Sequence, residues 1–156
     1  NRGKRKRLQE SGKDNKTPVM GLVQREGKAM LKVIGNNTFK DMVRSHVDNT
    51  AVVVTDAHLG YQGLKDEFAG HESVNHSLSE YKRDIFYTNT VEGFFSILKR
   101  GIYGIYHQVS PKHLHRYCDE FANRYNSRKT KDPERFIETV KQSKGRLKYE
   151  DLIKKM

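Results

Sequence analysis

The order of elements written into this chain predicts an α/β layered domain: a β-hairpin and a helix, then a central strand, then a run of helices. Three observations carry that expectation. Two strand-like apolar runs near the start flank a Gly-containing turn. A continuous β-branched run, Ala51-Val52-Val53-Val54-Thr55, lies further on. In the second half, apolar residues recur at helical spacing.

The hairpin comes first, with residues 19–24 and 29–34 joined by Arg25-Glu26-Gly27-Lys28. Thr38 then caps a short helix whose apolar positions are Phe39, Met42, Val43 and Val47. The run 51–55 suits a strand buried on both faces in the middle of a sheet. It ends at Asp56, a small helix is expected over 61–68, and 71–75 is a candidate short strand. A long helix is expected from about Asn89, with Val91, Phe94, Phe95 and Leu98 as its buried stripe. After the Gly/Tyr-rich loop GIYGIYHQVS, Ser110 and Pro111 open a second helix whose core face is Leu114, Tyr117, Cys118, Phe121 and Tyr125. Asp132-Pro133 opens a third, with Phe136, Ile137 and Val140 inward. Leu147, Leu152 and Ile153 suggest a last short one. The chain thus divides into a basic arm (1–17), a core (18–127) and a C-terminal helical extension (128–156).

Composition narrows the function classes. The chain has 156 residues, long enough to bury a core, and 35% of them are hydrophobic. No apolar run approaches membrane-spanning length and no secretory signal precedes the first strand, so a soluble, cytoplasmic protein is expected. The chain begins at Asn1, which suggests a fragment or processed product. One cysteine, Cys118, excludes an intramolecular disulfide and a cysteine-rich zinc site. Thirty Lys and Arg against 19 Asp and Glu give a net charge of +11, which points to a polyanionic partner. The alternative is a merely basic protein.

Candidate chemistry centres on two carboxylates. Asp56 stands where a strand stops, the edge of an α/β sheet at which ligands bind; it is also a residue that commonly starts turns. Glu92 lies beside the apolar stripe of the long helix. Lys99 follows seven residues later on nearly the same face, with Ser96 between. Two carboxylates within bridging distance suit Mg²⁺ or Mn²⁺, hard cations that prefer oxygen, and a nearby lysine suits phosphate. The bland reading is a solvated Glu–Lys pair on a helix surface.

Cations and aromatics interleave elsewhere. Arg5, Lys6 and Arg7 belong to a basic run that reads either as an arm that orders on a phosphate backbone or as a solvated tail. Lys99, Arg100, Tyr103, Tyr106, His107 and Lys112 could stack on bases and neutralise phosphates, or the tyrosines could simply pack their loop. Arg116, Arg124, Arg128, Lys129 and Lys131 add charge, either as backbone contacts or as plain surface. His71 and His76 lack the further ligands a zinc site needs; they read better as hydrogen-bonding residues, with a role near the active site as the alternative for His76 in the VNHS string. Cys118 reads as a small buried apolar residue.

The 35 residues from 57 to 91 separate Asp56 from Glu92, and Lys99 follows by seven, a pattern that resembles the D-(35)-E-(6)-K signature of DDE transposases and retroviral integrases. TDAHLGY (55–61), VNHSLSEY (74–81), NTVEGFFSILKRGIYGIYH (89–107) and SPKHLHRYCDEFANRYN (110–126) are more specific. They resemble the insertion-sequence transposases called ISXO-two-like, from about Thr17 to Asn126, with a looser echo in 146–153.

The resemblance implies a ribonuclease-H-like mixed sheet flanked by helices, and cut-and-join chemistry on DNA with two Mg²⁺ or Mn²⁺ ions. It makes Asp56 the second catalytic carboxylate and Glu92 the third, with Asn89 as an alternative third ligand and Lys99 facing phosphate. Transposon ends and target DNA are the implied partners, bound by a homo-oligomer in the bacterial cytoplasm at the nucleoid, with no membrane role. The family's first Asp lies on a strand expected ahead of the basic arm. Asp14, in a turn-like loop, and Asp41, in a predicted helix, do not match it. The fold is therefore expected to lack the family's first strand, and activity to be incomplete. Rival readings are a non-catalytic DNA-binding transposase remnant, another ribonuclease-H-like nuclease, and an interaction domain for acidic protein.

Overall fold

The computed structural model describes residues 17–35, 38–74, 82, 83, 86–143, 145 and 148–153. The arm carrying Arg5, Lys6 and Arg7, most of the 74–81 string with His76, and Leu147 lie outside the described residues. The architecture is mixed α/β, as expected. The hairpin forms from β1 (Val19–Val23) and β2 (Ala29–Val33), antiparallel with Gly21 opposite Leu31. Its turn closes through Gln24 N–H to Lys28 O (2.8 Å), and its left-handed residue is Glu26 rather than Gly27.

Period-two alternation gives the hairpin two working faces. Met20 and Leu22 join one core with Met42, Val43, Val53, Leu64 and Phe68. Val19, Val23, Ala29, Leu31 and Val33 join a second with Phe94, Leu98, Cys118 and Phe121. Gly21 permits the second packing, because a Cβ there would stand 2.8 Å from the Phe95 ring.

Helix α1 (Phe39–His46) starts at Thr38 in a capping box: Thr38 Oγ1 accepts the Asp41 N–H, and the Asp41 carboxylate accepts the Thr38 N–H, each at 3.2 Å. Such a cap contributes about 1 kcal/mol and ends the preceding loop where the sequence indicated. Arg44 on α1 clasps Glu67 with two bonds, Nε–Oε2 at 2.6 Å and Nη2–Oε1 at 2.7 Å, which holds the Glu67 carboxyl below its usual range.

Strand β3 (Val52–Asp56) pairs in parallel with β4 (Gly70–Val74), Asp56 opposite Val74. The expected central strand buried on both faces is not found. Val53 and Thr55 point inward while Val52 and Asp56 are exposed, because among the described residues it is the Val53 face of β3 that packs on a core. The same holds for the sheet as a whole. Among the described residues the strands form three separate two-stranded ladders, β1–β2, β3–β4 and β5 (Lys82–Arg83) with β6 (Phe86–Tyr87), rather than one mixed sheet. The helix expected over 61–68 is instead two 3₁₀ turns, Leu59–Tyr61 and Leu64–Asp66, separated by a left-handed Gly63 that an α-helix cannot accommodate.

Helix α2 (Asn89–Gly101) buries Phe94 and Leu98, as its periodicity indicated. It runs on into a π-helical turn, Ile102–Tyr106, where the sequence suggested a loop; His107, at φ 57°, ends it. A 3₁₀ turn at Pro111–His113 then leads into α3 (Leu114–Asn126), with Cys118 and Phe121 buried against β2 and α2. Burial pushes the free Cys118 thiol up to about 11, so it behaves as a small apolar side chain. The last residue of α3 completes the edge of β2: Ala29 N–H donates to Asn126 Oδ1 (2.7 Å) and Asn126 Nδ2 donates to Ala29 O (2.9 Å).

Helices α4 (Asp132–Gln142) and α5 (Tyr149–Ile153) follow where expected. The inward placement of the α4 apolar residues is wrong. Phe136 is 70% exposed, Ile137 52% and Val140 53%, because neither core includes any residue of α4. Among the described residues no helix is long and apolar enough to cross a membrane.

Candidate functional site

Asp56 ends β3, at the strand terminus where the sequence put it, and its side chain is exposed. Two hydroxyls fix its backbone: Thr55 Oγ1 and, from β4, Ser73 Oγ both donate to Asp56 O, at 2.9 and 3.2 Å. The buried Thr55 hydroxyl also lies 2.9 Å from His71 Nε2. Burial lowers the His71 pKa, with the Glu72 charge opposing. His71 is thus a hydrogen-bonding residue of the strand pair, as its sequence context favoured.

Beyond Asp56 the chain turns tightly. Asp56 Oδ1 accepts the His58 N–H at 3.3 Å, which is the turn-starting role that competed with catalysis in the sequence reading. His58 Nδ1 in turn accepts the Gly60 N–H at 3.0 Å. Phe39, His58 and Tyr61 pack together with ring centroids 4.8 to 6.1 Å apart. A Cβ on Gly60 would come within 2.6 Å of Phe39, so the glycine lets the turn lie on that ring. Burial, and next the negative charge of Asp56, push the Tyr61 hydroxyl up to about 12. The string TDAHLGY therefore builds an ordered, aromatic-backed loop behind one exposed carboxylate.

Glu92 sits in the first turn of α2, exposed, with Asn89 at the helix start. The buried Thr88 hydroxyl donates to Glu92 Oε1 at 2.9 Å, and Ser96 Oγ donates to Glu92 O at 2.9 Å. Lys99 and Arg100 are exposed in the last turn. An acid at the N-terminus and bases at the C-terminus also suit the helix dipole, so charge placement alone does not demand a site.

The described residues thus present the two carboxylates on different bodies of packing. Asp56 ends a strand of the core built on Met42, Val43 and Val53, whereas Glu92 belongs to the helix that fills the other core. Oxygen donors of this kind suit Mg²⁺ or Mn²⁺. Among the described residues, however, no group of three or more His, Cys, Asp or Glu side chains is arranged to hold a metal ion.

Downstream cations and aromatics divide by packing. Tyr106 is half-buried against Tyr117 (centroids 4.7 Å), its hydroxyl towards Glu120 at 3.4 Å. Tyr103 is 70% exposed on the π-helical turn; Arg100 and His107 are exposed as well, and Lys112 is half-buried. Arg124 pairs with Glu120 (2.7 Å), and Arg128 lies 3.9 Å over the Tyr125 ring, so both are held within the fold. Sequence reasoning missed Asn126 altogether. A polar residue closing an apolar helical face was the only signal for its part in joining α3 to β2.

The domain is mixed α/β, carries exposed carboxylates at a strand end and at a helix start, and belongs to a chain of net charge +11. The chain belongs to the ISXO2-like transposase domain family, which matches residues 1–126. The match takes in everything from the basic arm through α3 and leaves out α4 and α5. Comparison with curated proteins and with solved structures gives no match. Membership makes this a transposase domain, with DNA as the implied substrate.

Proposed function

We propose that this chain is the catalytic part of a bacterial insertion-sequence transposase that cleaves DNA strands and joins them to a target. Membership of the family over residues 1–126 carries the reading, together with the register of Asp56, Glu92 and Lys99 inside it. Asp56 and Glu92 are the catalytic carboxylates. Their oxygens would bind Mg²⁺ or Mn²⁺, which supplies charge neutralisation at the reacting phosphate. A third carboxylate from outside the described residues is needed to complete the ligand set, and Asn89 is the alternative to Glu92 within it. Lys99 and Arg100, two turns along the same helix, meet phosphates, and Tyr103, His107 and Lys112 extend that surface. The fold is ribonuclease-H-like, and the enzyme works as a homo-oligomer on transposon ends at the bacterial nucleoid.

The rival reading is a DNA-binding remnant without chemistry, which keeps the basic surface and the fold but not the metal-dependent cleavage. Mn²⁺-dependent nicking of supercoiled plasmid separates the two. The comparison uses this chain, a form extended by its native upstream residues, and the extended form with Asp56→Ala or Glu92→Ala. Nicking by the extended form, lost on either substitution, is the expected result. A folded, DNA-binding extended form that never nicks establishes the remnant. Nicking indifferent to both substitutions rejects the site.

A further inference from the structure

We propose that helix α4 is a self-association surface on which two copies of this chain pair antiparallel about a two-fold axis. The inference does not rest on the catalytic reading, and α4 lies beyond the stretch the family matches. Its starting point is the exposed stripe of Phe136, Ile137 and Val140, which neither core covers. At 3.6 residues per turn these three side chains occupy one side of the helix, with Pro133 beside them. An apolar stripe left in water on an otherwise amphipathic helix marks an interaction surface.

The charges beside the stripe identify the occupant. Glu134 and Lys141 are seven residues apart, so both lie on the same flank of the stripe, one near each end. In an antiparallel two-fold pair each flank meets its own copy running the other way. Glu134 therefore faces Lys141 of the partner subunit, and Lys141 faces Glu134 of the partner subunit. The level midway between 134 and 141 is also the centre of the apolar three, so one axis satisfies both. On the other flank the same axis brings Asp132 opposite Ser143 of the partner subunit, with no like charges opposed. Asp132 is already paired with Arg135 at 3.3 Å. A parallel alignment would instead level Glu134 with Asp132 of the partner subunit, acid against acid. The stripe is thus self-complementary in one orientation. The helix is only 11 residues long, so the contact is small and the dimer weak and concentration-dependent.

Analytical ultracentrifugation of the full chain without DNA, over a wide concentration range, tests this. A reversible dimer is expected, abolished by Ile137→Asp; the residue is exposed, so the monomer keeps its circular dichroism. Glu134→Lys and Lys141→Glu each turn two attractive pairs into repulsive ones and should weaken the dimer roughly tenfold. The double reversal, and an equimolar mixture of the two single variants, should both restore it. A chain that stays monomeric overturns the proposal. So does a dimer that survives Ile137→Asp, or one whose single reversals have no effect or are not rescued by the double.

Discussion

Asn126→Ala is the most informative single change in the fold. The side chain spans from the end of α3 to Ala29 at the start of β2, accepting from its N–H at 2.7 Å and donating to its carbonyl at 2.9 Å. Ala29 is 5% exposed, and Asn126 does for it what a neighbouring strand would do. Each such bond contributes a net of about 1 kcal/mol, and a buried group left unpaired costs about 1–3 kcal/mol. Because Asn126 is itself exposed, water can enter after truncation and recover part of the loss. The expected destabilisation is therefore about 2 kcal/mol, at the sum of the net terms, or a fall in melting temperature of roughly 4–8 °C for a chain of this size. Urea unfolding, read as a lower midpoint at unchanged slope, measures it. Asn123→Ala, three residues back on the same helix and exposed, is the control and should lie within about 0.5 kcal/mol of the parent. Equal midpoints for the two variants would refute the argument that this side chain substitutes for a strand.

Two further changes probe the core and the strand pair. Phe94→Ala removes a ring that is 1% exposed and packs 4.8 Å from Tyr125, so urea unfolding should show a loss of about 3–5 kcal/mol. For His71 the folded pKa is lowered from 6.5 by burial, so the unfolded chain binds the proton more readily. Its contribution to stability is therefore complete above 6.5 and is lost as pH falls through that value towards the folded pKa, a dependence that unfolding at pH 8 to 5 should show and His71→Gln should flatten.

Local chemistry was legible in the sequence wherever a few neighbouring residues decide the structure. Thr38 with Asp41 specifies a helix start through hydrogen bonds that close within four residues. The spacing of Phe94 and Leu98, and of Cys118 and Phe121, sets which faces of α2 and α3 turn inward. The misses share one cause, a partner that periodicity does not record. The run 51–55 is as apolar as a strand covered on both sides, yet what covers Val52 is decided by other strands, and it is exposed. Phe136, Ile137 and Val140 have the period of a buried face, but periodicity does not record what covers it, and all three are exposed. Gly63 breaks the expected 61–68 helix through a left-handed backbone that no spacing pattern encodes.

The same distinction bears on the candidate site. Positions along the chain were readable: Asp56 at a strand end and Glu92 in a first helical turn are local facts. Their relation to one another is not local, because the strand and the helix that carry them pack in different cores. Among the described residues the hairpin contributes to both cores, Met20 and Leu22 to the one that β3 joins and Val19 and Val23 to the one that α2 fills, with Gly21 against Phe95. The Asn126 bridge ties that two-faced hairpin to α3. A lesion at Phe94 or Asn126 can therefore disturb Glu92 without altering either carboxylate. Lost activity in such a variant is evidence about packing, and the carboxylates themselves must be judged by Asp56→Ala and Glu92→Ala, whose exposed side chains can be removed without opening either core.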